Sequence, residues 1–235
     1  GYNTFIVNTN DDKDLEKVLM TELIQRSIDG MIIAPSNHID DLVPILIATH
    51  IPVVFADRPG DENADFVGIN NVLEAEKIIT LFSVKPKKIV SLVPIPSNVS
   101  TIQERIKGIK NACEKAKIDF NSIDLPVEQD KIDALIEKEI QNGADSFITL
   151  NNKCTLPVIS SLKKLNIEIP KTVRLISFDD NESFNYMNPP ISALKLPITD
   201  IGLKSVERLY ERLKESKAPG EHFLLECSFQ ARGSH

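Results

Sequence analysis

The chain has 235 residues, 42% hydrophobic and 26% charged, a globular composition with apolar material for one large core or two smaller ones. Its formal net charge of -7 excludes a general polyanion-binding surface on this chain, because nucleic-acid affinity depends mainly on Lys and Arg that neutralise phosphates. No apolar run approaches the ~18 residues of a membrane span, so no membrane segment is predicted.

Short β-branched runs alternate with amphipathic helical segments along the chain, which predicts an α/β fold with parallel sheets covered by helices. The predicted strands are YNTFIVNT (2–9), GMIIAPS (30–36), PVVFAD (52–57), FVGIN (66–70), KKIVSLVP (87–94), SFITLN (146–151), VRLISFD (173–179), ISALKLP (191–197) and FLLECSFQAR (223–232). The predicted helices cover residues 12–27, 38–49, 71–83, 100–117, 129–142, 153–165 and 199–215. No flexible linker interrupts the pattern, which favours two lobes joined by ordered strands; one continuous sheet is the alternative.

Polar side chains follow the carboxyl ends of several predicted strands, where open parallel sheets bind their ligands. Asp57 ends one predicted strand and Arg58 comes next, Asn151 ends another strand and Asp179 ends a third. Arg105 lies about one turn into the helix after a fourth strand, from which a long side chain can lean back over the strand ends. We therefore predict that these residues form one ligand-binding site.

The chemistry of this set suits binding better than catalysis, since it contains acceptors, donors and an amide that is both. Carboxylates accept hydrogen bonds from sugar hydroxyls, while Arg and Asn donate to the hydroxyl oxygens. Each residue also has a structural alternative: Asn151 and Asp179 could cap helices, Asp57 and Arg58 could form a solvated turn, and Arg105 could be a surface charge. For Asp180, the helix cap is the favoured interpretation.

Other signatures of chemistry are missing from the sequence. It contains no GxGxxG, GxxxxGK[ST], HExxH or GxSxG motif. We therefore predict no catalytic activity, no cofactor and no metal site. The three cysteines, Cys113, Cys154 and Cys227, are an odd number without C-x-x-C spacing. This pattern indicates reduced, partly buried thiols in a cytoplasmic protein.

Several motifs together resemble the effector-binding core of LacI-family transcriptional repressors. They are PVVFADRP, GINNVLEAEKII, IQERIKGIKNA, FITLNNKC, LISFDD followed ten residues on by Pro189-Pro190, LPITDIG and the final FQARGS. The resemblance implies two doubly wound parallel-sheet lobes joined by three crossover strands, of the type I periplasmic-binding-protein-like class, with a sugar clamped between them. It places residues 1–68 and 196–217 in the first lobe and residues 69–195 and 218–235 in the second.

The resemblance also assigns roles to individual residues. It implies that Asp57, Arg58, Arg105, Asn151, Asp179 and Lys195 bind the ligand, with Lys195 on a crossover strand. Asn152, where the family has Asp, and Lys195, where it commonly has Gln or His, depart from the pattern. The family's DNA-binding headpiece and first strand precede the point where the resemblance starts, so unpaired strand edges are expected in the first sheet.

The expected function is that of a sugar-sensing domain whose effector switches a homodimer between DNA-binding states. The effector is expected to be a small sugar or sugar phosphate, with a ribose-like pentose favoured, and operator DNA would bind only through the missing headpiece. A solute-binding receptor of a sugar transporter has the same fold and is the alternative.

Overall fold

The computed structural model describes residues 1–36, 42–215 and 219–235, apart from the side chain of Ile47. Two compact units divide the chain: unit 1 comprises Gly1–Ile69 and Ile198–Leu225, and unit 2 comprises Asn70–Pro197 and Glu226–His235. The chain therefore passes between the units three times, after Ile69, Pro197 and Leu225. None of the described helices is long and apolar enough to cross a membrane.

Within the described residues, strands and helices alternate for most of the chain. The strands are β1 (Met31–Ile33), β2 (Val53–Ala56), β3 (Asp65–Ile69), β4 (Lys88–Val93), β5 (Asp119–Asp124), β6 (Ser146–Thr149), β7 (Arg174–Phe178), β8 (Ser192–Lys195), β9 (His222–Leu225) and β10 (Ser228–Gln230). The α-helices are α1 (Lys13–Gln25), α2 (Val43–Thr49), α3 (Asn71–Ile78), α4 (Ser100–Ala116), α5 (Gln129–Gln141), α6 (Asn152–Lys164) and α7 (Ile198–Lys214). Short 3-10 helices follow α3 and β7.

Unit 1 is built on a four-stranded parallel sheet in the order β1-β2-β3-β9. Its buried apolar core comes from the strands and from α1 and α2, and includes Met20, Met31, Leu46, Phe55 and Phe66. Helix α7 packs on β1, β2 and β3. Helix α1 begins at Lys13 because the Asp12 carboxylate accepts hydrogen bonds from the Asp14 and Leu15 amides, both at 2.9 Å.

Unit 2 is built on a six-stranded sheet in the order β10-β8-β7-β6-β4-β5. All of its strand pairs are parallel except β10 with β8, which is antiparallel. Strand β6 is buried along its whole length, as expected of a central strand covered on both faces. Helices α3 and α4 pack together, as do α5 and α6. The two sheets, whose strands are parallel except for the β10–β8 pair, and the helices packed with them confirm the predicted α/β class.

The structure differs from the sequence prediction at three strands. Residues 2–9 have the apolar pattern of a strand but form none, and Ile6 is 91% exposed. Strand β1 therefore forms the edge of the sheet in unit 1. Strand β5 was not predicted, because DFNSID is polar and lies at a sheet edge where alternation of burial is weak. The predicted last strand is two strands, of which β9 pairs with β3 and β10 with β8.

The placement of β9 corrects the predicted lobe boundaries, because pairing with β3 assigns β9 to unit 1 rather than to the second lobe. Leu196 and Pro197 belong to unit 2 instead of the first lobe. The start of the predicted helix at His38 and the predicted boundary at residues 217 and 218 lie outside the described residues.

The C-terminal residues are an integral part of unit 2. Ser234 is fully buried; its hydroxyl donates to the Leu175 carbonyl at 2.6 Å and accepts from the Ser192 amide at 2.8 Å. The backbone carbonyl of Ser234 accepts from the Leu175 amide at 2.7 Å, and His235 Nδ1 lies 2.8 Å from the Ser192 hydroxyl. The end of the chain is thus tied to strands β7 and β8.

A buried ion cluster fixes α7 to the sheet of unit 1. The carboxylate of Asp65, 2% exposed, accepts hydrogen bonds from Arg208 Nε at 2.9 Å, from Arg212 and from the Glu221 amide at 2.9 Å. Burial by itself would raise the pKa of the Asp65 carboxyl, but the bonds from Arg212, Glu221 and Arg208 outweigh it, so the pKa lies below its usual value. One carboxylate therefore compensates two desolvated guanidinium groups.

We expect Asp65→Ala to lower the free energy of unfolding by about 3–5 kcal/mol, because it removes the buried carboxylate that both Arg208 and Arg212 contact. Since folding lowers the pKa of Asp65, this contribution is present above the unfolded pKa of about 3.9 and is lost as the pH falls toward the lower folded value. Urea denaturation at pH 7 measures the effect. Glu207→Ala, which removes the exposed partner of Lys204 on the same helix, is the matched control and should leave the transition unchanged. Equal stability of the two variants would contradict this role for Asp65.

Candidate functional site

The predicted ligand-binding residues of unit 2 lie near the carboxyl ends of neighbouring strands. Strands β4, β6 and β7 are adjacent and parallel, so the residues that follow them share one edge of the sheet. Asn151 comes two residues after β6, and Asp179 directly follows β7. Arg105 lies in the second turn of α4, the helix that follows β4. The structure brings Arg105 and Asp179 into direct contact.

Arg105 is a buried cation, 4% exposed, held by groups from three elements. Its Nη1 donates to the Leu150 carbonyl at 2.7 Å and lies 3.2 Å from Asp179 Oδ1, and its Nε donates to Asn71 Oδ1 at 3.0 Å. The guanidinium carbon lies 4.0 Å from the centroid of the Phe178 ring, within the range of a cation–π interaction. The alternative of a surface charge on α4 is therefore wrong.

Asp179 sits in an unusual backbone conformation at the end of β7. Its φ of +74° lies in the left-handed region, which Asp tolerates better than most residues but which still costs energy. The Ser177 hydroxyl donates to its carbonyl at 3.0 Å. Its side chain is 25% exposed while its partner Arg105 is 5% exposed. The Asp179 side chain is therefore partly accessible, while the Arg105 guanidinium beside it is almost entirely excluded from solvent.

Asn151 caps helix α6, as the structural alternative proposed. Its Oδ1 accepts a hydrogen bond from the Cys154 amide at 3.1 Å. This bond fixes the side chain without using its Nδ2 hydrogens, so the cap and the predicted role as a donor to a ligand are compatible. Lys195 is the last residue of β8, exposed, and pairs in register with Ser228 of β10.

Asn71 is a site residue that the sequence reasoning missed. It is 2% exposed, accepts from Arg105 and donates from Nδ2 to Glu104 Oε2 at 3.2 Å. The sequence signal that could have identified Asn71 is the Asn70-Asn71 pair at the start of α3. Asn70 caps the helix by accepting from the Leu73 amide at 3.0 Å, so the side chain of Asn71 is not needed as the cap. Its amide bridges α3 and α4 beside the guanidinium of Arg105.

The favoured interpretation of Asp180 as a helix cap is wrong. Both of its carboxylate oxygens accept from Arg232, at 2.8 and 3.0 Å, in a bidentate ion pair. The cap of the short 3-10 helix is Asn181, whose Oδ1 accepts from the Ser183 amide at 3.0 Å. Adjacent residues after a strand point in different directions, so Asp179 and Asp180 have separate environments and separate roles.

In unit 1, Asp57 and Arg58 follow the carboxyl end of β2. Asp57 has a φ of +65°, and its amide donates to the Val67 carbonyl at 2.9 Å. Arg58 forms an ion pair with Asp11 and donates to the Pro35 carbonyl at 3.2 Å. That the residues of unit 1 and unit 2 bind one ligand together stays a prediction.

Unit 1 also contains a buried carboxylate that the sequence did not point out. Glu16 of α1 is 4% exposed and accepts hydrogen bonds from both the amide and the hydroxyl of Ser36, which follows β1. The bond from the amide is 2.9 Å long. This pair fixes the loop after β1 whose Pro35 carbonyl accepts from Arg58.

Metal binding and thiol chemistry find no support in the parts of the chain that are described. No group of three or more His, Cys, Asp and Glu there could hold a metal ion. All three cysteines are free, and burial raises the pKa of Cys113 to about 11 and those of Cys154 and Cys227 to about 12. The thiols are therefore protonated near neutral pH and poor nucleophiles.

Two α/β units built on parallel strands, with acids of positive φ and buried, hydrogen-bonded polar groups after those strands, are typical of ligand-binding proteins. Residues 81–235 match the periplasmic binding protein-like domain family. The chain therefore belongs to this family. Its curated relatives are HTH-type transcriptional regulators and the similar solved structures include LacI-family regulators, which confirms the resemblance seen in the sequence.

One curated relative is the probable HTH-type transcriptional regulator EndR of Paenibacillus polymyxa, which is 26% identical over 223 residues; the match covers 92% of this chain and 66% of EndR. A periplasmic binding protein/LacI transcriptional regulator from Alkaliphilus metalliredigens, crystallised with D-xylulofuranose, has a TM-score of 0.84 at 22% identity, covering 100% of this chain and 88% of that one. A LacI-family regulator from Enterococcus faecium with bound ribose has a TM-score of 0.79 at 20% identity, covering 92% and 82%.

Substitutions of the adjacent acids Asp179 and Asp180 should have different effects on affinity and stability. We expect Asp179→Asn to weaken effector binding by at least about 1.5 kcal/mol, because it removes charge-assisted bonds to the ligand's hydroxyls. Asp180→Ala should lower stability, because it leaves the half-buried Arg232 without its bidentate partner, and should leave affinity close to wild type. Calorimetric titration and denaturation of both variants measure the two effects; equal losses of affinity would show that Asp179 is not the ligand's carboxylate.

Proposed function

We propose that this chain is the sugar-sensing domain of a LacI-family transcriptional regulator. Its effector is a small sugar, with a ribose-like pentose favoured, bound by Asp57, Arg58, Arg105, Asn151, Asp179 and Lys195. The observation that carries the proposal is the pairing of buried Arg105 with the accessible carboxylate of Asp179 at the carboxyl edge of the unit 2 sheet. The role is sensing rather than catalysis.

The chemistry of the site supports a polyhydroxylated ligand. A sugar hydroxyl is both donor and acceptor, so it can donate to Asp179 while accepting from the Asn151 amide or from the remaining hydrogens of Arg105. Hydrogen bonds to charged groups contribute about 1.5–3 kcal/mol each. Arg105 already compensates Asp179, and Arg58 compensates Asp11, which favours a neutral sugar over a phosphorylated one. The pentoses bound by two structures of the same fold agree with this class of ligand.

The proposed output is a change in operator binding by a homodimer. The chain covers 66% and 72% of the length of two curated HTH-type relatives, so the DNA-binding segment would lie in the part of the protein outside this chain. The effector would then alter the geometry of the dimer and be coupled to operator affinity by about 1–3 kcal/mol, reciprocally. Such a regulator works in the cytoplasm.

A thermal-shift panel tests the ligand class. We expect D-ribose, D-xylulose or a related pentose at 100 times its Kd to stabilise the protein by about 2.7 kcal/mol, which is a rise of roughly 5–11 °C in Tm for a protein of this size. Ribose 5-phosphate distinguishes a phosphorylated effector, and Asp179→Asn is the control that should lose the shift. A panel of pentoses, hexoses and their phosphates without any shift would contradict the proposal.

The dimer is tested separately by light scattering of the full-length protein. Val18 on α1 is 53% exposed and Leu73 on α3 is 49% exposed, so both helices present apolar side chains at the surface of this chain. We expect a C₂ dimer that buries at least roughly 1,200 Å² in total. Val18→Glu or Leu73→Glu should shift the dimer toward monomer, while Leu203→Glu on α7 should not. A wild-type monomer at tens of micromolar, with and without sugar, would rule out the dimer switch.

A further inference from the structure

Three buried hydroxyls form a continuous chain beneath the strand ends of unit 2. The Thr149 hydroxyl lies 2.7 Å from that of Thr155, and the Thr155 hydroxyl lies 2.8 Å from that of Ser177. All three side chains are fully buried. We call Thr149, Thr155 and Ser177 the hydroxyl chain; its members come from β6, the first turn of α6 and β7.

The carbonyl at one end sets the direction of the hydroxyl chain. Ser177 Oγ is 3.0 Å from the Asp179 carbonyl and 3.2 Å from the Phe178 carbonyl, and since a carbonyl only accepts, Ser177 must be the donor. Thr155 then donates to Ser177, and Thr149 donates to Thr155. With this direction, the last acceptor of the hydroxyl chain is the backbone carbonyl of Asp179.

The same chain also touches the second predicted ligand residue of unit 2. Thr155 Oγ1 lies 3.2 Å from the Asn151 carbonyl, close enough to share its hydrogen between that carbonyl and Ser177. Thr155 is thus the one residue of the chain that contacts the backbone of Asn151 and, through Ser177, that of Asp179. The backbones of both residues are therefore held by side chains that no ligand reaches.

We propose that Thr155 and Ser177 are positioning residues for effector binding, which they achieve by holding the left-handed backbone of Asp179 and the capped conformation of Asn151. The inference rests on the proposed function, in which Asn151 and Asp179 contact the sugar. Without the Ser177 donor, the Asp179 carbonyl loses a partner that holds φ at +74°, and relaxation toward an extended backbone would turn the carboxylate away from its present position.

Variants of nearly equal shape test the positioning role. Thr155→Val and Ser177→Ala each remove one hydroxyl, and we expect each to weaken binding of the pentose that stabilises the wild-type protein by at least about tenfold. Thr155→Ser keeps the hydroxyl and should bind the same pentose within about threefold of the wild-type affinity. The matched control is Ser146→Ala, which removes a fully buried hydroxyl from the amino end of β6, where it accepts from Arg174 at 3.1 Å. The control should leave affinity unchanged.

A second measurement needs no ligand. Backbone chemical shifts of Asp179 in labelled protein report its φ, and we expect Thr155→Val and Ser177→Ala to lose the positive value while Ser146→Ala keeps it. If the wild type binds no sugar, the proposed function fails, and these shifts still decide whether the hydroxyl chain holds Asp179. If the wild type binds and Asp179→Asn weakens binding, but Thr155→Val and Ser177→Ala bind like wild type, the positioning role is overturned and the proposed function stands.

Discussion

The site in unit 2 depends on the burial of one guanidinium group. A desolvated Arg105 is stable only if its hydrogens meet acceptors, and the acceptors come from Asn71 on α3, Leu150 after β6 and Asp179 after β7. Its flat face also contacts the Phe178 ring. Because these groups must all meet one rigid planar cation, the end of two strands and the start of one helix have little freedom relative to α4.

This arrangement changes what Arg105 contributes to binding. The sequence placed Arg105 among the direct donors to a ligand, yet most of its contacts are made to the protein itself. Its larger contribution is to hold the Asp179 carboxylate beside a positive charge, with one face left accessible. In the proposed function, a ligand hydroxyl would meet an acceptor whose position is already determined, so less conformational entropy would be lost on binding.

The parts of the fold that the sequence predicted are those where local pattern and tertiary environment agree. Continuous apolar runs such as β6 and β7 are buried on both sides, and the polar residues after them lie where parallel sheets place ligands. Residues 2–9 have a strand pattern but no pairing partner, and backbone pairing is a tertiary property that alternation alone cannot supply. Strand β5 is the reverse case, in which pairing with β4 makes a strand of a polar sequence.

Prediction of the site failed where a side chain's partner is distant in sequence. Asp180 has the local setting of a cap, but its partner Arg232 lies 52 residues away, and a bidentate ion pair outweighs a weak local bond. Asn71 looked like part of a helix start, and only the fold brings Arg105, 34 residues on, to its Oδ1. Local signals identify which residues are polar at an edge; the long-range contacts decide which of them are available to a ligand.

Asp57 in unit 1 and Asp179 in unit 2 have the same local backbone setting. Each is an acid directly after a parallel strand, each has positive φ, and each has a hydrogen-bonded backbone group: the Asp57 amide donates to the Val67 carbonyl of β3, and the Asp179 carbonyl accepts from the Ser177 hydroxyl of β7. A residue with positive φ cannot continue the extended backbone, so each strand ends where the acid stands. Glycine would relieve the strain at both positions but would remove the acceptor, and Asp is among the few side chains that tolerate this backbone while carrying a charge. The strain is therefore a consequence of placing an acid at the end of a buried strand, and the bonds that hold it are as much a part of the site as the carboxylates.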